Sequence, residues 1–205
     1  MRKIFMILGL LAVAILPSSV AALDQPSEYA TLLASLKAGK TDIDYARLRT
    51  SYMDSTEYKA AKDVSDSENA MIDALNKKDY PAALKNAEIV LDSAYVNMDA
   101  HFVAMVANRE LGAKDKSEVH STVFHGLIKS ILDSGDGKST EKAWVVINVP
   151  EEYVVLRVLD FKPSGQSLVQ KDGHSYDVMK VKDAKDGTEQ TFYFNVDIPF
   201  KHYGF

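Results

Sequence analysis

The chain of 205 residues contains no cysteine and carries no excess of positive charge. Without a thiol it has no disulfide, no thiolate nucleophile and no thiolate metal site, so its hydrophobic core must hold the fold. Its 24 Lys and Arg residues are outnumbered by 29 Asp and Glu residues, which gives a formal net charge of −5 at pH 7. Proteins that bind nucleic acid present a basic face. The composition therefore argues against nucleic acid as a partner.

Long hydrophobic runs are scarce as well, and the clearest one opens the chain. The apolar stretch Ile4 to Leu16 follows Arg2 and Lys3 and precedes small residues at 19–22. This order is typical of a cleaved signal peptide, and the run is shorter than the roughly 20 apolar residues of a membrane-spanning helix. We predict a signal peptide over residues 1–22 and a periplasmic or secreted mature protein with no stable membrane anchor.

Helical periodicity dominates residues 23–133, for which we predict a helical domain. Ser27 and Asp44 stand where N-caps belong, and the apolar positions behind them recur at helical spacing. Two arginines of the second helix, Arg47 and Arg49, are predicted on faces other than the one that carries Tyr45, Leu48 and Tyr52. The polar segment 54–66 has few apolar anchors and is predicted to be an irregular connection.

The middle of this region resembles a tetratricopeptide repeat. A turn at 77–79 separates two helical patterns, and Tyr80, Ala83 and Ala87 match the aromatic and small positions that let antiparallel helices approach. The match covers about one and a half repeats, fewer than the three needed for a solenoid. A small bundle of helical hairpins is therefore expected, closed by a helix that ends near Ile131.

Beyond a glycine-rich linker at 134–142, the composition shifts toward strand-forming residues, and we predict a β-rich domain over 143–205. Residues 144–149 are predicted to form a strand, and Asp172-Gly173 is typical of a hairpin turn. A second turn is expected at Asp186-Gly187. The segment 150–160 permits a helix or a strand. The predicted fold class is α+β, with N-terminal tetratricopeptide-like hairpins followed by a small antiparallel sheet.

Several stretches resemble a family of exported bacterial proteins, the domain of unknown function 4919. They span nearly all of the mature chain in the family's order, and Asp160 stands where that family's pattern leads one to expect a glycine. The resemblance implies no activity, ligand or catalytic residue. The stretches are LKAGKTDIDYARLRTSY, LIKSILDSGDGKST, EEYVVLRVL, GQSLVQKDGHSYDVMKV and FYFNVDIPF.

No motif in the sequence indicates catalysis, a metal site or a cofactor. SGDGKST lacks the first glycine of a phosphate-binding loop and is predicted to be a plain turn. His174 is expected to end its strand and bond a turn carbonyl, and the adjacent Glu151 and Glu152 are expected to act as first-turn charges that point apart. The polar face of the sheet is where we expect a groove. Its candidate binding residues are Gln166, His174, Tyr176, Asp177, Tyr193 and Asn195.

These observations favour a binding module of the cell envelope whose partner is a protein or peptide. A hydrolase is the first alternative. Its site would be assembled where the helices meet the sheet, from Glu152, His174, Asp177 and Tyr193. A secreted immunity or inhibitor protein, which would bind one dedicated partner through an acidic face, is the second alternative.

Overall fold

The computed structural model describes residues 26–203, so the predicted signal peptide lies outside the described residues. A block of helices comes first, and a sheet with two further helices follows. The helices are α1 Glu28–Lys37, α2 Tyr45–Asp54, α3 Thr56–Ala60, α4 Ser65–Asn76, α5 Tyr80–Ser93, α6 Met98–Glu110, α7 Lys114–Leu132, α8 Val149–Val158 and α9 Asp197–Tyr203. The strands are β1 Trp144–Val145, β2 Phe161–Lys171, β3 His174–Asp183 and β4 Glu189–Asn195. The α+β prediction is confirmed.

The predicted caps begin the first helices. The side chains of Ser27 and Asp44 accept hydrogen bonds from the backbone N–H groups of Ala30 and Arg47. Residues 54–66 were predicted to form an irregular connection. The structure differs in part, because α3 forms within them. Ser55 caps α3 through the N–H of Tyr58, whose ring packs edge-on against Tyr52 with centroids 5.4 Å apart.

The middle helices form the expected hairpins. A cluster of small buried side chains holds α4, α5 and α6 together, and it includes Ala83, Ala87, Ala100 and Ala104. Alanines at these positions let helix axes approach closely. The long helix α7 packs against α6 and completes the helical block.

The sheet has four strands in the order β1-β4-β3-β2. Strands β2, β3 and β4 are antiparallel neighbours, but β1 pairs parallel to β4, so the prediction of a wholly antiparallel sheet was wrong for this edge. The hairpin between β2 and β3 turns at Asp172-Gly173, where both φ angles are positive, 53° and 82°. This backbone conformation matches the twist of the strands it joins.

The segment 150–160, for which the sequence permits a helix or a strand, contributes most of its residues to the helix α8. Asn148 caps it by accepting from the N–H of Glu151, and Pro150 lies in its first turn. The predicted strand at 144–149 is consequently short, because the backbone of Ile147 bonds the Glu151 side chain instead of a neighbouring strand. Asp160 follows α8 with a φ of 65°, which explains why a glycine is expected there.

One hydrophobic cluster joins the helical block to the sheet. It combines side chains of α1, α2 and α7 with those of α8 and the inner sheet face. The glycine-rich linker packs onto this core, since a Cβ on Gly137 would lie 2.7 Å from the Trp144 ring. The SGDGKST segment forms turns and a short 3-10 helix at Thr140–Lys142, and α7 ends before it. The shared core makes the linker part of the packed structure.

Arg49 lies inside this interface, so the face of α2 that carries it is buried as well as the apolar face. Its side chain is 2% exposed, and its Nε and Nη2 bond Glu151 Oε1 at 3.0 Å and Oε2 at 2.5 Å. Two further guanidinium N–H groups bond Ser130 Oγ at 3.1 Å and the carbonyl oxygen of Val145 at 3.0 Å. Arg49 therefore ties α2 to α7, β1 and α8.

We expect Arg49→Met to lower the free energy of unfolding by about 3–5 kcal/mol, because it leaves the buried Glu151 carboxylate without its cation. Adding Glu151→Leu to this variant should recover part of the loss, since the unpaired charge is then gone. Urea denaturation measures both. Arg47→Met is the matched control: Arg47 is exposed and pairs with Glu28 at the surface, so the change should cost less than about 1 kcal/mol. Equal decreases in the free energy of unfolding for Arg47→Met and Arg49→Met would contradict a stabilising role for the buried pair.

Candidate functional site

The six predicted binding residues do not form one groove. Gln166 lies opposite Met179 in the β2–β3 register, on the core face of the sheet, whereas Tyr176 lies opposite Asn195 on the other face. Directly opposed residues share a face. Four of the six belong to two separate polar clusters: Gln166 and Asp177 lie in one under α8, and His174 and Asn195 lie in one at the start of α9.

The first cluster joins α8 to the β2–β3 hairpin. The Tyr153 hydroxyl donates to Gln166 Oε1 at 3.1 Å, and Gln166 Nε2 donates to Asp177 Oδ2 at 2.7 Å. Glu152 completes the cluster with a side chain that is 0% exposed. It lies in the first turn of α8, as expected, but its side chain is buried toward Asp177 of the sheet and does not act as a charge there.

Glu152 is held as a neutral acid. Burial, and then the nearby Asp177 carboxylate, raise the pKa of Glu152 to about 9. Among residues 26–203, neither carboxyl oxygen of Glu152 has a hydrogen-bond partner at normal distance, while Asp177 is close enough to repel a second negative charge. A buried acid beside a carboxylate keeps its proton because two ionised groups would repel each other in a medium of low polarity. At neutral pH, Glu152 is therefore protonated.

The second cluster surrounds Asp197. His174 Nδ1 donates to Asp197 Oδ2 at 2.6 Å, the backbone N–H of Ser175 donates to Oδ1 at 2.8 Å, and Asn195 Nδ2 donates to Oδ2 at 3.1 Å. Burial opposes ionisation, but these hydrogen bonds outweigh it and lower the pKa of Asp197. His174 thus bonds a carboxylate and not the turn carbonyl that was expected. Within the described part of the chain, no serine hydroxyl hydrogen bonds to His174.

The two predicted tyrosines belong to neither polar centre. Tyr176 is 7% exposed, and its ring centroid lies 6.4 Å from that of His174. Tyr193 is half-buried, and its backbone N–H donates to the carbonyl oxygen of Gly137 at 2.8 Å. Both residues serve packing and strand connection in this structure.

A buried histidine pair links α6 to α7. His101 Nε2 bonds the carbonyl oxygen of Tyr95 at 2.8 Å, and its Nδ1 lies 3.0 Å from Nδ1 of His120. A carbonyl only accepts, so the His101 hydrogen is on Nε2 and its Nδ1 accepts from His120. Burial lowers the pKa of His101 to about 3 and also lowers that of His120. The pair is therefore neutral at physiological pH.

A cleft lies on the other face of α8, where the two hydrophobic clusters meet. Its volume is about 520 Å³, within the range of small-ligand sites. Its walls come from α2, α3, α4, the α5–α6 connection, α8 and α9. The lining residues are Tyr52, Met53, Tyr58, Ala61, Lys62, Glu68, Asn69, Met71, Ile72, Ser93, Ala94, Val96, Asn97, Met98, Asp99, Asn148, Pro150, Glu151, Val154 and Tyr203.

The cleft combines apolar walls with a few placed polar groups. Tyrosine and methionine side chains lie along its walls, and Glu68 and Asn97 lie side by side, with Asn97 Nδ2 donating to Glu68 Oε1 at 2.9 Å. Sequence reasoning missed this site because its walls come from segments as distant as Tyr52 and Tyr203. The polar and aromatic character of segment 54–66 was its one local signal.

Residues 26–203 contain neither a metal-binding cluster nor a membrane-spanning helix. No group of three or more His, Asp or Glu side chains there is arranged to hold a metal ion. Over the same residues, no helix is long and apolar enough to cross a membrane.

A family model described as domain of unknown function (DUF4919) matches residues 23–204. The chain belongs to this family. The match covers both the helical block and the sheet, and it begins directly after the predicted signal peptide. No curated protein and no solved structure matches the chain. The family carries no assigned activity, so the geometry of the clusters and the cleft is the guide to function.

Stability should fall as pH rises because of Glu152. Its pKa is about 9 in the folded chain against an ordinary value of 4.5, so the unfolded chain loses this proton first. The free energy of unfolding then decreases as pH rises from 4.5 to about 9, by at most about 1.4 kcal/mol per pH unit. Glu152→Gln cannot ionise, so it should flatten this slope and gain stability relative to wild type as pH rises. Urea denaturation from pH 5 to 9, with exposed Glu88→Gln as control, tests this; parallel curves for Glu152→Gln and wild type would contradict it.

Stability should fall on the acid side because of His101. Its pKa is about 3 in the folded chain against 6.5 ordinarily, so the unfolded chain takes up a proton first as pH drops. The free energy of unfolding therefore decreases as pH falls through this window. His101→Gln keeps a donor for the Tyr95 carbonyl and removes the titration, so its stability should vary less between pH 6.5 and 4. Thermal denaturation measures the stability of both proteins across this pH range. If the stability of His101→Gln decreases as steeply as that of wild type, His101 is not the cause of the decrease.

Proposed function

We propose that this protein is an exported envelope module that binds a short peptide segment of a partner protein in the α8 cleft. The cleft itself carries the proposal. Its volume of about 520 Å³ suits a short segment of chain, and its walls are set on packed helices. Tyrosine and methionine side chains favour apolar contacts with an adaptable partner.

Periplasmic or extracellular location follows from the predicted signal peptide and is part of the same proposal. The mature chain carries a formal charge of −7 once Arg2 and Lys3 are removed. A net negative chain free of cysteine suits a soluble role in an oxidising compartment, since no thiol can be oxidised there. A dedicated partner, as for an immunity or inhibitor protein, would be one form of the same binding activity.

Catalysis has weaker support. The hydrolase hypothesis needs Glu152, Asp177, His174 and Tyr193 in one site, but Glu152 and Asp177 lie under α8 while His174 bonds Asp197. Glu152 is also fully buried, so a substrate would have to displace α8 to reach it. The geometry favours binding over reaction.

A displayed library of short random peptides, selected on the mature protein 23–205, tests the proposal. Peptides that bind should lose affinity for Ala61→Trp by about tenfold or more, which corresponds to about 1.4 kcal/mol, because an indole at this position occupies the cleft. Ala60→Trp is the matched control, since Ala60 is exposed and outside the lining. Affinities are measured by fluorescence polarisation.

Recovery of no peptide would contradict the proposal. So would peptides that bind both tryptophan variants as well as wild type, because their site would then lie elsewhere. Circular dichroism melts of the two variants establish that each remains folded.

A further inference from the structure

The carboxylates that line the cleft differ in how they are neutralised. Glu151 is paired with the buried Arg49, and Asp99 is paired with Arg157. Glu68 is different: across residues 26–203 no lysine, arginine or histidine forms an ion pair with it. Among the described residues, Glu68 is therefore the cleft carboxylate that has no cation of its own.

Glu68 is nevertheless held in place. Its Oε1 accepts from Asn97 Nδ2 at 2.9 Å, and Asn97 in turn caps α6 by accepting from the N–H of Ala100 at 2.9 Å. A carboxylate offers about four acceptor positions, so one hydrogen bond leaves most of its capacity open. Its side chain is half-buried on the cleft wall. A fixed, partly desolvated carboxylate with spare acceptor capacity suits a charged donor.

The rest of the cleft is suited to the alkyl stem of a cationic side chain. The rings of Tyr52, Tyr58 and Tyr203 and the side chains of Met71 and Met98 line it. Aromatic faces attract cations as well as apolar groups, and the alkyl stems of lysine and arginine pack on apolar surface. The one basic residue in the described lining, Lys62, is exposed.

We infer that the peptide bound in the cleft carries a lysine or arginine side chain, whose charged end pairs with Glu68 while its stem lies against the tyrosines. This inference rests on the proposed peptide-binding function and names the chemistry of its ligand. The net negative charge of the chain, −5 over 205 residues, also favours encounter with a basic segment.

Short acetylated and amidated peptide libraries test it, with apolar residues randomised around a central lysine, arginine, norleucine or glutamate. Norleucine matches the lysine stem and lacks the ammonium. The mature wild-type protein should bind the lysine and arginine peptides at least about tenfold more tightly than the norleucine peptides. Glu68→Gln, which retains the acceptor for Asn97, should abolish this preference. Asp73→Asn removes the same charge from an exposed position of α4 outside the cleft and should keep the preference.

The outcomes separate the two proposals. Equal binding of lysine and norleucine peptides, or tighter binding of glutamate peptides, would overturn the inference and leave peptide binding intact. A lysine preference that persists in Glu68→Gln would also overturn it, because the anchor would be another residue. Absence of binding in every library would overturn the proposed function and, with it, the inference. The preference should weaken with rising salt if it is electrostatic.

Discussion

The buried contact between Arg49 and Glu151 joins the two parts of this protein. It connects residues 102 positions apart, and each guanidinium nitrogen and each carboxyl oxygen of the pair makes at least one hydrogen bond, since Glu151 also accepts from the N–H of Ile147 at 2.9 Å. Charges taken out of water are costly unless every donor and acceptor is matched. The position of α8 relative to the helical block is therefore tightly specified, and the cleft and the sheet contacts depend on that position.

Helix α8 separates two kinds of chemistry. Glu151 and Val154 line the cleft, where an ionised carboxylate is neutralised by Arg49. The next residue, Glu152, turns toward Asp177 and keeps its proton because burial and the neighbouring carboxylate raise the cost of its ionisation. Adjacent glutamates thus carry different charges at neutral pH. The cause is tertiary: one meets a guanidinium and the other a carboxylate.

The pattern of the sequence predicted local structure well. The Ser27 and Asp44 caps and the Asp172-Gly173 turn formed where expected, because each depends on backbone geometry within a few residues. The sharing of a sheet face by distant residues could not be predicted in the same way. Gln166 and Tyr176 were placed on one groove, but the sheet register puts them on opposite faces. A binding face depends on strand pairing, which short-range periodicity does not fix for separate strands.

The amino-acid sequence by itself determined the α+β class, most helix and hairpin positions, membership of a family and the exclusion of thiol chemistry. These follow from composition and from contacts between near neighbours. Only the tertiary structure decided that Arg49 and Glu152 are buried, that β1 joins the sheet in parallel, and that a cleft opens beside α8. Burial and charge state depend on partners that packing brings together from distant parts of the chain. The residue type alone does not show whether a glutamate is buried or exposed.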